Sequence, residues 1–214
     1  MGTPASILKK SLQHLYLGCA DARVQEHLLS AASDLSNLWI GHASPAAQIF
    51  QPTRLKRLHC NLQSFFPCDK QVDFKSHPLF AHLTHLDISD AFSDALLDGL
   101  RLIPNLTHLA FWKRPWALNA PRILRECPAL RLIVYQAYSG GVVEIKGYPT
   151  LHGLESDTRF VQMLYKEQVK DWHMGALTGD DFWSRAEEFN GKRRSGEIHL
   201  RMYVIVNDPH RAQV

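Results

Sequence analysis

The chain has 214 residues, of which 45% are hydrophobic and 21% charged, with a formal net charge of +3. That apolar content is enough for one substantial core and excludes a disordered chain, while the mild charge does not by itself imply nucleic acid. No apolar run approaches the roughly 20 residues of a spanning helix.

Residues 1–10 carry no apolar stretch ahead of a small-residue cleavage site, so no secretory signal is expected. Cys19, Cys60, Cys68 and Cys127 form no C-x-x-C pair and no zinc spacing. Free thiols in a reducing cytoplasmic or nuclear compartment follow as the expectation, with no cofactor, no metal, no membrane and a monomeric chain.

Taken in chain order, one phrase returns. The pattern L-x-x-L-x-apolar begins at Leu12, Leu35, Leu55, Leu83, Leu106 and, with Ile133 in the place of the second leucine, Leu130, at intervals of 23, 20, 28, 23 and 24 residues. Those intervals fall in the 20–29-residue period of leucine-rich repeats. In a strand alternate side chains face opposite sides, so Leu86 and Ile88 would enter the stack while His85, Asp87 and Ser89 point away. Stacked units pair such strands in parallel and bury an apolar column that no unit could bury alone.

Between the strands the sequence predicts helices. Residues 21–32 begin with Asp21 as N-cap and place Val24, Leu28 and Leu29 on one face. Residues 93–104 start at Ser93 and stop before Pro104, with Leu96, Leu97 and Leu100 stacked. Residues 120–127 carry Pro121 in the first turn and Pro128 just past the end. Residues 61–78 read as an irregular loop. The asparagine or cysteine that usually follows each repeat strand is missing; Ala20, Ala43, Gln63, Ala91, Arg114 and Tyr138 stand there.

From Gly140 the pattern changes. The expected division is a solenoid of about six repeats over 1–139 and a non-repeat cap over 140–214, both in one structural unit. Residues 140–153 read as a hairpin or loop and 159–165 as a last strand. A helix follows, with Thr178 and Asp181 as a capping pair and Phe182, Trp183, Ala186 and Phe189 along it. It is expected to hide the open edge of the solenoid. Lys192, Arg193 and Arg194 read as a solvated helix end, the alternative being an import signal or a phosphate contact.

The parallel register would line up three outward columns across the six strands. The first runs His14, Asn37, Arg57, His85, His108, Leu132; the second Tyr16, Trp39, His59, Asp87, Ala110, Val134; the third Gly18, Gly41, Asn61, Ser89, Trp112, Gln136. Tyr16, Trp39, Arg57, His59, His85, Asp87, His108 and Trp112 are therefore the candidate partner-binding residues, because aromatic and Arg side chains supply most hot spots of protein interfaces. Leu132 to Tyr135 is apolar on both faces, which predicts that Arg201–Val206 or the Phe182/Trp183 helix packs over it.

The tail adds a resemblance. Asp157, Arg159, Val161, Asp171-Trp172, Gly175, Gly179, Asp181-Phe182-Trp183, Ala186, Phe189, Arg194 and Gly196-Glu197-Ile198, with the Arg125–Leu130 helix end, resemble the C-terminal part of F-box/leucine-rich-repeat-like proteins of mushroom-forming fungi. The resemblance spans residues 10–198 and implies an irregular leucine-rich-repeat solenoid of the α/β class. It also implies the substrate-binding region of an F-box-type ubiquitin-ligase subunit. The F-box itself is not found, so the chain is expected to be a truncated product or a member with only the recognition half. A Skp1-type adaptor would join only a longer form.

The competing readings are a stand-alone repeat scaffold and a metal-dependent enzyme using His59, His85, Asp87 and His108. The sequence has no G-x-S-x-G, no Walker loop and no G-x-G-x-x-G after a strand, so no enzyme is expected.

Overall fold

The computed structural model describes residues 12–18, 21–32, 34–42, 50–66, 73–137, 151–164 and 168–205. The chain divides into two compact units, Met1–Leu106 and Thr107–Val214. Both are α/β, with short parallel strands alternating with helices.

The first unit holds β1 (His14–Leu17), α1 (Ala22–Ala31), β2 (Asn37–Ile40), β3 (Arg57–Cys60), α2 (Leu62–Phe65), β4 (His85–Ile88) and α3 (Asp94–Leu100). Its strands pair in parallel in chain order, with Leu15 against Leu38, Leu38 against Leu58 and Leu58 against Leu86. Leu38, Leu58 and Leu86 are buried, as are Ile40, Cys60 and Ile88 two places on. The recurrent leucines thus form one column, as the period requires.

Two expectations about this unit change. Helix α1 starts after Asp21, whose side chain accepts from Arg23 N–H, but it buries Gln25 and Leu29 while Val24 is 48% exposed. Gln25 can be buried because its Nε2 donates to the His42 carbonyl at 2.7 Å. The stretch expected as a loop also contains α2, and a 3-10 turn follows at Pro78–Phe80. Helix α2 is fixed from both sides: the Asn61 side chain accepts from Ser64 N–H, and buried Asp90 accepts from Leu62 and Gln63 N–H at 2.7 and 2.8 Å. Asp90 therefore holds the backbone of the turn that follows β3. Below it, Phe74 packs on α3 so closely that a Cβ at Gly99 would lie 2.6 Å from its ring.

The second unit holds β5 (His108–Phe111), α4 (Arg114–Leu118), α5 (Ala120–Glu126), β6 (Leu132–Ala137), β7 (Phe160–Leu164), α6 (Gln168–Thr178), α7 (Phe182–Ser195) and β8 (Val204–Ile205), its strands again parallel in chain order. Pro115 and Pro121 occupy first turns of α4 and α5, where a missing N–H goes unnoticed. One face of this sheet carries Phe111, which stacks on Trp116 of α4.

The opposite face, Ala110, Leu132, Val134, Val161 and Met163, is buried under Phe182, Trp183 and Ala186 of α7. The cover expected over Leu132 and Val134 is therefore the Phe182/Trp183 helix, with Ile205 at its margin. The helix lies on the face rather than at the edge, and β7 is not the last strand, because β8 pairs beyond it.

Residues of the tail that carry the resemblance build this cover. Asp171 on α6 accepts from Phe182 N–H at 2.8 Å and from Arg185 at 2.6 Å, tying α6 to α7. A Cβ at Gly175 would stand 2.5 Å from Asp181 Cβ, so only glycine admits the approach. The capping pair is Asp181 with Ser184; Thr178 instead ends α6, its hydroxyl donating to the Met174 carbonyl. Gly196 closes α7 in the left-handed conformation, φ 78°. Most of the hairpin expected over 140–153 lies outside the described residues.

Candidate functional site

The second outward column of the first unit is a ladder. Tyr16 pairs with Trp39 and Trp39 with His59 in register, and their rings stack at 4.5 and 4.3 Å, the second pair only 1° from parallel. Stacking across neighbouring strands follows from a strand spacing of about 4.8 Å. Glycines make room beside it: a Cβ at Gly18 would meet the Tyr16 hydroxyl at 2.7 Å, and one at Gly41 the Trp39 ring at 3.0 Å. The ladder ends on Asp87, whose Oδ2 lies 2.7 Å from His59 Nδ1. His59 and Asp87 are 5% and 7% exposed, while Tyr16 and Trp39 are half-buried with ring surface remaining.

The first column flanks the ladder. Asn37 Nδ2 lies 2.7 Å from His14 Nδ1, and burial, then the nearby Arg57 charge, hold the His14 imidazole below its ordinary pKa. Arg57 and His85 face each other in register, both half-buried. The Thr84 hydroxyl donates to the Lys56 carbonyl, so it accepts from His85 Nδ1–H at 2.8 Å.

The remaining candidates lie in the second unit. His108 is 5% exposed, with Nδ1 2.8 Å from the Thr107 hydroxyl, Nε2 2.8 Å from Glu187 Oε1 and its ring edge-on to Trp183. Trp112 follows β5 and is half-buried. His59 and Asp87 are thus brought together as expected, whereas His108 is engaged by α7 of its own unit. Among the described residues no three His, Cys, Asp or Glu side chains stand close enough to hold a metal ion, which removes the geometric basis for the proposed histidine metal patch.

Cys60 and Cys127 are buried and neither is in a disulfide. Burial, with Asp90 and Asp87 nearby, pushes the Cys60 thiol well above its ordinary pKa, which favours the protonated thiol over the thiolate.

Sequence reasoning missed Glu187 and Arg193. Arg193 is 2% exposed, although it sits in the basic triplet expected to be solvated. Its guanidinium donates to the carbonyls of Phe160, Glu155 and Leu200. Lys192 pairs with Glu188 at 2.7 Å, and only Arg194 of the three is exposed without a side-chain partner among the described residues. The helical spacing of Phe182, Ala186 and Phe189 could have placed Arg193 on the inward face, one turn further on.

The fold defines a parallel α/β protein with a repeated strand phrase. No family model, curated protein or solved structure matches the chain. Among the described residues no helix is long and apolar enough to cross a membrane.

Proposed function

We propose that this chain is a protein-recognition module that uses the strand face of its first unit. Its architecture on this reading is an irregular leucine-rich-repeat solenoid of the F-box/leucine-rich-repeat-like kind. The observation that carries it is the Tyr16–Trp39–His59 stack ending on Asp87. Large aromatic surfaces whose conformational freedom is already spent make strong contacts at low entropic cost on binding. Asp87 orients the His59 ring, and Arg57 and His85 supply polar contacts beside it. The repeat intervals of 20 to 28 residues and the parallel in-register strands support the architecture. The tail resemblance supports the role of a ligase substrate receptor. The reading assigns no catalytic step.

The test begins with the protein purified from its own cells, its intact mass and the proteins that accompany it. A mass above 24.4 kDa together with a Skp1-type adaptor supports the ligase reading; the chain's own mass without an adaptor supports a free-standing scaffold. In either case the identified partner should bind the wild-type chain and lose at least tenfold in affinity to Trp39→Ala, since one aromatic anchor is worth about 2 kcal/mol. Unchanged binding by a Trp39→Ala, Tyr16→Ala double variant that remains folded rejects this face.

A further inference from the structure

The second unit contains a cavity of about 410 Å³, within the range of small-ligand sites. Three arginines from three elements line it: Arg131 just before β6, Arg159 just before β7 and Arg194 in the last turn of α7. Arg159 is held in place by Asp157, Nε to Oδ1 at 3.0 Å and Nη2 to Oδ2 at 2.7 Å. Arg131 and Arg194 are exposed, and among the described residues neither guanidinium has an ion pair or side-chain hydrogen bond.

A fourth donor is built in. Asn190 is 2% exposed and also lines the cavity. Its Oδ1 accepts from Arg193 at 3.3 Å, which fixes the amide orientation; its Nδ2 hydrogens meet no acceptor among the described residues. An amide donor with no protein partner that opens on a cavity wall is a position for a ligand oxygen. The lining also includes Glu187, which is already committed to His108, and the apolar side chains of Leu130 and Leu132.

We propose that this cavity binds a phosphate monoester on a compact organic body. Two uncommitted guanidiniums match a doubly charged group, whereas a single carboxylate would leave one of them over; Arg presents the planar fork that phosphate oxygens accept. The volume exceeds what inorganic phosphate fills, and the leucines supply an apolar wall for the rest of the ligand. The source is a free phosphorylated small molecule or a phosphorylated side chain, and the chemistry of recognition is the same.

The proposal is independent of the strand face in the first unit, and Trp39→Ala should leave it intact. Calorimetric titration of the full chain tests it with glucose 6-phosphate, with a short phosphoserine peptide and with the unphosphorylated forms of both. Saturable binding of at least one phosphorylated probe, absent from its unphosphorylated form, is expected. Arg131→Ala and Arg194→Ala should each weaken it about tenfold or more, the loss expected of one charge-assisted contact. Arg122→Ala, on α5 and paired to Glu126, should not. The Asn190 side-chain amide signals should shift on binding. Whichever probe binds more tightly identifies the source. No saturable binding of either probe, or binding that survives the Arg131→Ala, Arg194→Ala double variant, overturns the proposal.

Discussion

The phrase Leu-Thr-His-Leu occurs twice, at 83–86 within the first unit and at 106–109, where the second unit begins, and the two copies begin alike. In each, the threonine hydroxyl lies 2.8 Å from the following histidine Nδ1. They then diverge. Two places beyond His85 stands Asp87, which takes His59 and terminates an aromatic ladder; two places beyond His108 stands Ala110, which joins Leu132 and Val134 in an apolar strip under α7. The repeat therefore prescribes the inward leucines and the local Thr-His bond. A single outward position, carboxylate or methyl, separates a polar face from a covered one.

The comparison can be broken most forcefully at the two cores. Leu86→Asp puts a charge into the fully buried column of the first unit and should cost about 4 kcal/mol or more. Trp183→Ala removes the cover of the second and should cost about 3 kcal/mol or more. Urea denaturation measures both, and a harmless Trp183→Ala would mean that α7 is not what buries the second face. Arg193→Met ranks next. It strands the carbonyls of Phe160, Glu155 and Leu200, for an expected loss of about 2–3 kcal/mol, and a neutral result would show that water replaces the guanidinium. By contrast Trp39→Ala should cost about 1–2 kcal/mol in stability, the loss of two stacked contacts on a half-buried ring, while weakening partner binding at least tenfold.

Acid sharpens the contrast with the smallest effects. In the first unit, burial and then Arg57 lower the pKa of His14, and burial lowers that of His77. The unfolded chain binds these protons from about pH 6.5 downward, so this stability is complete above that value and lost as pH falls through the folded pKa values. In the second unit burial raises the Asp157 pKa, but the Arg159 hydrogen bonds and the Arg159 and Arg193 charges outweigh it, and the net shift is downward. Its contribution is therefore retained until the pH drops below the ordinary aspartate value of about 3.9. NMR titration should give midpoints below about 6.5 for both imidazoles, and a midpoint at or above it for either would refute the assignment. Asp157→Asn should lower stability at pH 6, and the difference from wild type should narrow as the pH falls below about 3.9.

Much of the frame was legible in the sequence. The six strands follow from the recurring leucines, and the pairings of Tyr16 with Trp39, Trp39 with His59 and His59 with Asp87 follow from a parallel register. Ser93 and Pro121 marked helix starts because capping and proline chemistry are local. The misses have a common cause. Gln25 took an inward place that Val24 was expected to fill, and Arg193 an inward place in a triplet expected to face water. Each polar group is buried only because carbonyls or carboxamides from distant positions meet it. Helix α6 was missed because its buried residues are Asp171 and Gly175, which leave no apolar period to detect.

What this sequence determined by itself is whatever depends on period and neighbouring residues: the strand phrase, its alternation, the caps and the apolar column they bury. Only the tertiary structure decided which outward residues stay outward. A strand side chain's direction is set by backbone geometry, but its exposure depends on what another segment lays over it. For His108 that segment is α7, 79 residues further along the chain at Glu187, a separation at which no local pattern specifies the contact.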